Sequence, residues 1–168
     1  VRTALGPAGA GLGAGIGEIV ASADRRAVIS ALGLGSCVGV VLADPRAGVA
    51  GMAHVMLPAS RPGAAAPPGR FADTAVPALL DQVLRLGGDR DRLEATIAGG
   101  AQMFGGGAGG GMLNIGGRNA EAVRAALKAA GLRVRAAEVG GSAGRSMQVA
   151  VDGGTVTVRA VGGGVIRL

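Results

Sequence analysis

Cys37-Val38-Gly39-Val40-Val41-Leu42-Ala43-Asp44-Pro45-Arg46-Ala47-Gly48-Val49-Ala50-Gly51-Met52-Ala53-His54-Val55-Met56-Leu57 reads as a β-hairpin, and it carries the chain's only cysteine and only histidine. Two apolar runs flank Asp44 to Gly48, a turn with a mechanism: Asp can bind turn N–H groups, Pro presets φ, and Gly can take a positive φ. With the turn centred between Pro45 and Arg46, Asp44 faces Ala47, Ala43 faces Gly48 and Cys37 faces His54. A slip of two residues makes Cys37 and His54 diagonal neighbours instead. Directly opposed Cβ atoms lie about 4.5–5.5 Å apart and diagonal ones about 7–8 Å, so both registers keep thiol and imidazole on one face. A one-residue shift, as a bulge at Gly48 would cause, puts them on opposite faces.

Working outward, Ala27-Val28-Ile29-Ser30 is a short strand leading into the glycine turn Leu32-Gly33-Leu34-Gly35-Ser36. Before it, residues 1–15 are rich in Gly and Ala and read as a flexible extension to a domain spanning 16–168. After the hairpin, Ala59 to Gly69 is a Pro/Gly/Ala loop placed to border a site. Thr74 is the expected cap of a helix carrying Val76, Leu79, Leu80, Val83 and Leu86, because Pro77 is tolerated only in a first turn. Gly87 ends that helix. Arg92 to Ala98 alternates as a strand, and Gly99 to Gly111 is a glycine-rich loop holding Gln102, Met103 and Phe104. Ala120, Val123, Leu127 and Ala130 mark a second helix, stopped by Gly131. Leu132 to Val139, Ser146 to Val151 and Thr155 to Val161 read as strands, the last two joined by Asp152-Gly153-Gly154. Several strands with two inserted helices imply an α+β or layered α/β domain.

Composition narrows the function. The 168 residues suit one domain, and with no Trp, no Tyr and two Phe the core is aliphatic. The 34 glycines are interleaved with apolar patterns and show no collagen-like period. The net charge of +6 comes from scattered arginines, with Lys128 the single lysine. Nucleic-acid binding is not expected, because aromatic stacking platforms are nearly absent. One cysteine excludes an internal disulfide framework and, with one histidine, falls short of a structural zinc site, so no metal is expected. A reducing compartment fits. Glu18 breaks the early apolar run before it reaches signal-peptide strength, and no segment has the roughly 18 apolar residues of a membrane span. The early glycines and Gly33-Leu34-Gly35 both fail as dinucleotide fingerprints for want of the strand, helix or third glycine that such a site needs.

What remains is a thiol beside an imidazole. A neighbouring histidine can take the proton of a cysteine and make it a nucleophile. Backbone N–H groups of the turn at Gly35 and Ser36 are candidate oxyanion donors, and the reaction class is acyl transfer through a thioester. The same residues also read as a small buried hydrophobe and a hydrogen-bonded core histidine.

Five blocks carry a family resemblance: Leu32-Gly33-Leu34-Gly35-Ser36-Cys37-Val38, Gly51-Met52-Ala53-His54-Val55-Met56-Leu57-Pro58, Phe71-Ala72-Asp73-Thr74-Ala75-Val76, Gly99-Gly100-Ala101-Gln102-Met103-Phe104 and Asn114-Ile115-Gly116-Gly117-Arg118-Asn119. In this order they resemble the CheD family of chemoreceptor glutamine deamidases. The resemblance implies a cytoplasmic chemotaxis enzyme that converts glutamines of chemoreceptor cytoplasmic helices to glutamates, with glutamyl methyl esters as a further substrate class. It implies Cys37 as nucleophile, His54 as base, no metal or organic cofactor, and a CheC-type phosphatase as regulatory partner. It implies a single-domain layered α/β/β sandwich of mixed and antiparallel strands with two main helices, shared with a deamidating toxin domain. Phe71 and Gln102, with the loop from Ala59 to Gly69, are expected at the substrate groove, and Phe71 equally suits a plug in the aliphatic core. Members often place a threonine six residues before the cysteine as a third site residue; here that position is Ala31, and the side chain of Ser30 points to the opposite face. The alternative is therefore a largely non-catalytic docking module that regulates the phosphatase.

Overall fold

The strands Val38–Asp44 (β4) and Val49–Val55 (β5) are buried along their whole length, because they lie at the centre of a sheet covered on both faces. The computed structural model describes residues 11–63, 65–103 and 114–168. The other elements are strands Gly11–Gly13 (β1), Ile19–Ser22 (β2), Val28–Leu34 (β3), Glu94–Gly99 (β6), Val134–Val139 (β7), Arg145–Ala150 (β8), Val156–Ala160 (β9) and Val165–Arg167 (β10), with helices Ala72–Arg85 (α1) and Ile115–Ala129 (α2). Among the described residues they form two mixed sheets, ordered β2-β5-β4-β6-β7 and β1-β3-β8-β9-β10. Among the described strands, β6 with β7 and β1 with β3 pair in parallel and the rest antiparallel.

Two aliphatic cores define three layers. One lies between the helices and the first sheet, where Ala75, Val76, Leu79 and Val83 of α1 and Val123 and Leu127 of α2 meet Val38, Val40 and Leu42. The other lies between the sheets, where Val41, Ala50 and Met52 meet Ile29, Leu34, Met147 and Val149. The expected α/β/β sandwich with two main helices is the observed architecture.

The hairpin takes the register that is slipped by two residues. Its loop holds four residues, so Asp44 faces Val49 and Gly39, not Cys37, faces His54. Chemistry at Asp44 sets this length. Its carboxylate accepts the N–H groups of Arg46 and Ala47, each at 3.1 Å, and its carbonyl accepts that of Gly48 at 3.0 Å. Gly48 closes the wider turn at φ +67°, a conformation that glycine adopts without strain. The same carboxylate is fully buried, pairs with Arg92 at 2.7 Å and accepts the Asp89 N–H at 2.9 Å. Burial alone would raise its pKa, but the bonds from Arg92, Asp89 and Ala47 prevail and hold it at about 2.

Helix α1 starts earlier than expected. Phe71, not Thr74, is its N-cap, because the chain is pinned by the Leu57–Phe71 bridge and the Ala72 N–H bond to the Leu57 carbonyl at 3.0 Å. Pro77 therefore falls in the second turn, on the exposed side. Asp73 holds Ser60 instead, accepting its N–H and its hydroxyl. Gly87 ends the helix as expected, with its N–H on the Leu84 carbonyl and that of Gly88 on the Val83 carbonyl. Asn114 caps α2 by accepting the Gly117 N–H at 2.9 Å.

Three strands carry no periodic signal and escape the sequence reading: β1, β2 and β10. The first sheet-forming residues lie ahead of Ile16, where Gly11–Gly13 runs parallel to Val28–Ser30 and Ala14 is buried. Strand β3 also runs further than Ala27 to Ser30, absorbing the glycine turn up to Leu34 with an irregularity between Ala31 and Leu34.

Candidate active site

The open end of the hairpin assembles the site. Cys37 immediately precedes β4 and lies diagonal to His54 on β5, with both side chains on the face turned toward the second sheet. Gly39 stands directly opposite His54. A Cβ there would meet Met147 Sδ at 2.9 Å and Leu34 Cδ1 at 3.0 Å, so the second sheet packs closely over this end and a larger residue would make those two side chains shift. His54 is 1% exposed and Cys37 is half-buried.

The imidazole has a defined tautomer. His54 Nδ1 lies 3.1 Å from the Ala14 carbonyl oxygen, which can only accept, so Nδ1 carries the proton and Nε2 keeps a lone pair. Nε2 is buried with no hydrogen-bond partner among the described residues, the thiol included. Before substrate binds, hydrogen bonds between a nucleophile and its base are often long or poorly aligned. The backbone around the ring is fixed by the His54 N–H on the Glu18 carbonyl at 3.0 Å and the Gly17 N–H on the His54 carbonyl at 2.8 Å. Burial pushes the His54 pKa below its ordinary value, opposed by the Ala14 bond and Glu18. Burial likewise pushes the Cys37 thiol up. Both directions favour the uncharged pair, thiol and imidazole, at rest.

The turn that presents the thiol is tied down on several sides. The Gly35 N–H is committed to the Gly33 carbonyl at 2.9 Å, and the Gly35 carbonyl accepts the Ala101 N–H at 2.7 Å. Gly35 is thus turn support, and the N–H groups of Ser36 and Cys37 are the turn's candidate oxyanion donors. The Cys37 carbonyl accepts the Gly100 N–H at 2.8 Å. Beside it Gly99 has φ +113°, and a Cβ at that residue would lie 2.2 Å from the Cys37 oxygen. From the helix layer, Asn119 Nδ2 donates to the Ser36 carbonyl at 2.9 Å.

The remaining expected residues are less central. Ala31 is fully buried, faces Met147 across the sheet and contributes no polar group. The Ser30 carbonyl accepts the Ala14 N–H at 2.8 Å, so Ser30 fixes the residue that holds His54. Phe71 is buried at the start of α1, with the Arg70 guanidinium 5.9 Å from its ring centroid. Gln102 is exposed and its N–H donates to the Gly141 carbonyl at 2.8 Å, while the neighbouring Met103 side chain lies against Gly35. Phe104 lies outside the described residues. Side-chain reasoning missed Ala14, which acts through its backbone, and gave Asn119 no role; its place in the Asn-Ile-Gly-Gly-Arg-Asn block was the available signal.

A family model described as CheD chemotactic sensory transduction matches residues 56–160. The chain is 47% identical to the chemoreceptor glutamine deamidase CheD of Thermotoga maritima, over 89% of this chain and 92% of that protein. It is 46% identical to the probable chemoreceptor glutamine deamidase CheD of Desulforamulus reducens, over 88% and 89%. A third relative, the probable chemoreceptor glutamine deamidase CheD of Methanococcus vannielii, is 44% identical over 75% of this chain and 80% of its own. The family model begins past His54, whereas alignments over 88% and 89% of the chain necessarily take in both Cys37 and His54. No helix among the described residues is long and apolar enough to cross a membrane. With two relatives above 45% identity along nearly the full chain and a family model over most of it, the chain belongs to the CheD family.

Proposed function

We propose that the protein is a cysteine-dependent glutamine deamidase acting on chemoreceptor cytoplasmic helices. Cys37 Sγ attacks the side-chain carboxamide carbon while His54 Nε2 takes the thiol proton. The Ser36 and Cys37 N–H groups receive the oxyanion. Protonated His54 then returns the proton to the departing nitrogen, ammonia leaves, and a thioester remains. Water, relieved of a proton by Nε2, attacks the thioester and releases glutamate and the thiol. A glutamyl methyl ester would follow the same path with methanol as leaving group.

The observation that carries this reading is the tautomer of His54. The Ala14 carbonyl holds Nδ1–H at 3.1 Å and leaves the base nitrogen buried and unengaged. In this reading Ala14 orients the imidazole, the part that a third site residue plays in a nucleophile–base–orienter arrangement. That supplies a group to stand in for the threonine missing at Ala31, which was the motive for a docking-only protein. The neutral resting pair fits a thiolate formed only as substrate arrives. The same reading places the protein in the cytoplasm, regulated by a CheC-type phosphatase, which a pull-down with the two purified proteins tests.

Ammonia release from a receptor cytoplasmic fragment tests the mechanism. Turnover by the wild type that is lost in both Cys37→Ala and His54→Ala supports it. Turnover surviving in Cys37→Ala overturns it.

A further inference from the structure

We propose that Asn119 is a positioning residue that fixes the separation of nucleophile and base, an inference that rests on the Cys37–His54 reading above. Asn119 projects from α2 and is fully buried. Its Nδ2 donates to two backbone carbonyls, Ser36 and Met56, each at 2.9 Å. Both partners can only accept, so the orientation of the amide is unambiguous. Ser36 adjoins Cys37, and Met56 lies two residues beyond His54.

The location explains why a side chain is needed here. The ladder between β4 and β5 ends at the pair Val38 and Val55, one residue short of Cys37. Beyond that pair no strand pairing ties the nucleophile's turn to the base's strand. The two N–H groups of Asn119 bridge that gap from the helix side. The start of α2 that carries Asn119 is closely packed. One turn earlier Gly116 is pressed against the loop backbone, where a Cβ would lie 2.3 Å from the Ala101 oxygen. That loop holds the Cys37 carbonyl through the Gly100 N–H. Asn119 Oδ1 is buried without a partner among the described residues, a cost that an aliphatic core side chain would not carry. The polar group here serves the two carbonyls and not the packing.

The test compares Asn119→Leu and Asn119→Asp with wild type by thermal melting, by kcat and KM on a receptor fragment, and by the pH profile of Cys37 alkylation with iodoacetamide. Misplaced reacting groups predict a kcat loss of about 10- to 100-fold at unchanged KM. The alkylation profile should also move toward that of His54→Ala. A folded variant with wild-type kcat and alkylation profile overturns the proposal, as does one that merely melts lower. Cys37→Ala separates the two levels: retained turnover there refutes the parent mechanism, whereas an inactive Cys37→Ala beside a fully active Asn119→Leu refutes only the positioning role. Should both Asn119 variants fail to fold, the Asn119 side-chain amide signal is followed by NMR in the wild type. It is expected to shift when Cys37 is alkylated, and an unmoved signal overturns the proposal.

Discussion

Replacing Asp44 with alanine separates what holds the hairpin together from what makes it reactive. The buried carboxylate accepts the N–H groups of Arg46, Ala47 and Asp89 and pairs with Arg92 at 2.7 Å. Removing one partner of a buried ion pair costs about 3–5 kcal/mol. Arg92 is 37% exposed, and the turn N–H groups can meet water, so the loss should lie at the low end, about 3 kcal/mol. An unfolding entropy of about 2.1 cal/mol/K per residue gives about 0.35 kcal/mol/K for 168 residues, and hence a Tm lower by about 8–9 °C. Asp44→Asn keeps an acceptor for the turn and should lose about half as much. The carboxylate's pKa is lowered from 3.8 to about 2 by folding, so its contribution is complete above the unfolded value and fades as pH falls through the folded one. The Tm gap between wild type and variant should therefore narrow across that window. Melts followed by far-UV circular dichroism suit a chain without Trp or Tyr. The turn lies at the opposite end of the hairpin from Cys37, so kcat below the melting range should not change. A Tm within about 2 °C of wild type at neutral pH, or a loss of kcat without a loss of Tm, would refute the reasoning.

Gly99→Ala should be damaging out of proportion to its size, since φ is +113° and the new Cβ would lie 2.2 Å from the Cys37 carbonyl oxygen. Turnover should fall along with Tm, and a variant with wild-type turnover would show that the Cys37 peptide is not held from this side. The pKa of His54 is lowered below 6.5, so the unfolded chain takes up its proton first as pH falls. Stability should decline below that pH until the folded-state value is reached, and His54→Asn should remove that part of the slope in denaturant titrations. Because neutral imidazole is the base, the acid limb of kcat/KM should also lie below 6.5, and a limb above it would contradict a buried neutral His54.

Much of this was legible in the residues. The Val38–Val55 hairpin, both helices and the pairing of β8 with β9 follow from apolar periodicity and turn chemistry. The register was ambiguous by two residues because it depended on whether Asp44 would hold its own turn's N–H groups and so widen the loop. Both of those registers leave Cys37 and His54 on one face; the one-residue bulge at Gly48 would have parted them, and the regular ladder from Asp44–Val49 to Val38–Val55 excludes it. Strands β1, β2 and β10 were not legible. Gly11–Gly13 has almost no side chains to show alternation, Ile19–Ser22 is buried at every position, and Val165–Arg167 is exposed at every position. The start of α1 was misplaced because Thr74 and Pro77 were weighed as local signals, whereas the contact of Phe71 with Leu57 is tertiary. Within the site, the two reactive side chains could be read from type and spacing. Ala14 could not, since its contribution is a carbonyl that every residue type possesses. Asn119 was visible as a residue, but its role depends on carbonyls 83 and 63 positions away in the chain.

Peptide mapping by mass spectrometry of a receptor cytoplasmic fragment incubated with the protein in ¹⁸O-labelled water tests the central claim most directly. The account predicts glutamine-to-glutamate conversion at discrete positions, with one labelled oxygen in each new carboxylate, for the wild type and none for Cys37→Ala. Conversion that persists without the Cys37 thiol, or its absence with the wild type, would contradict it.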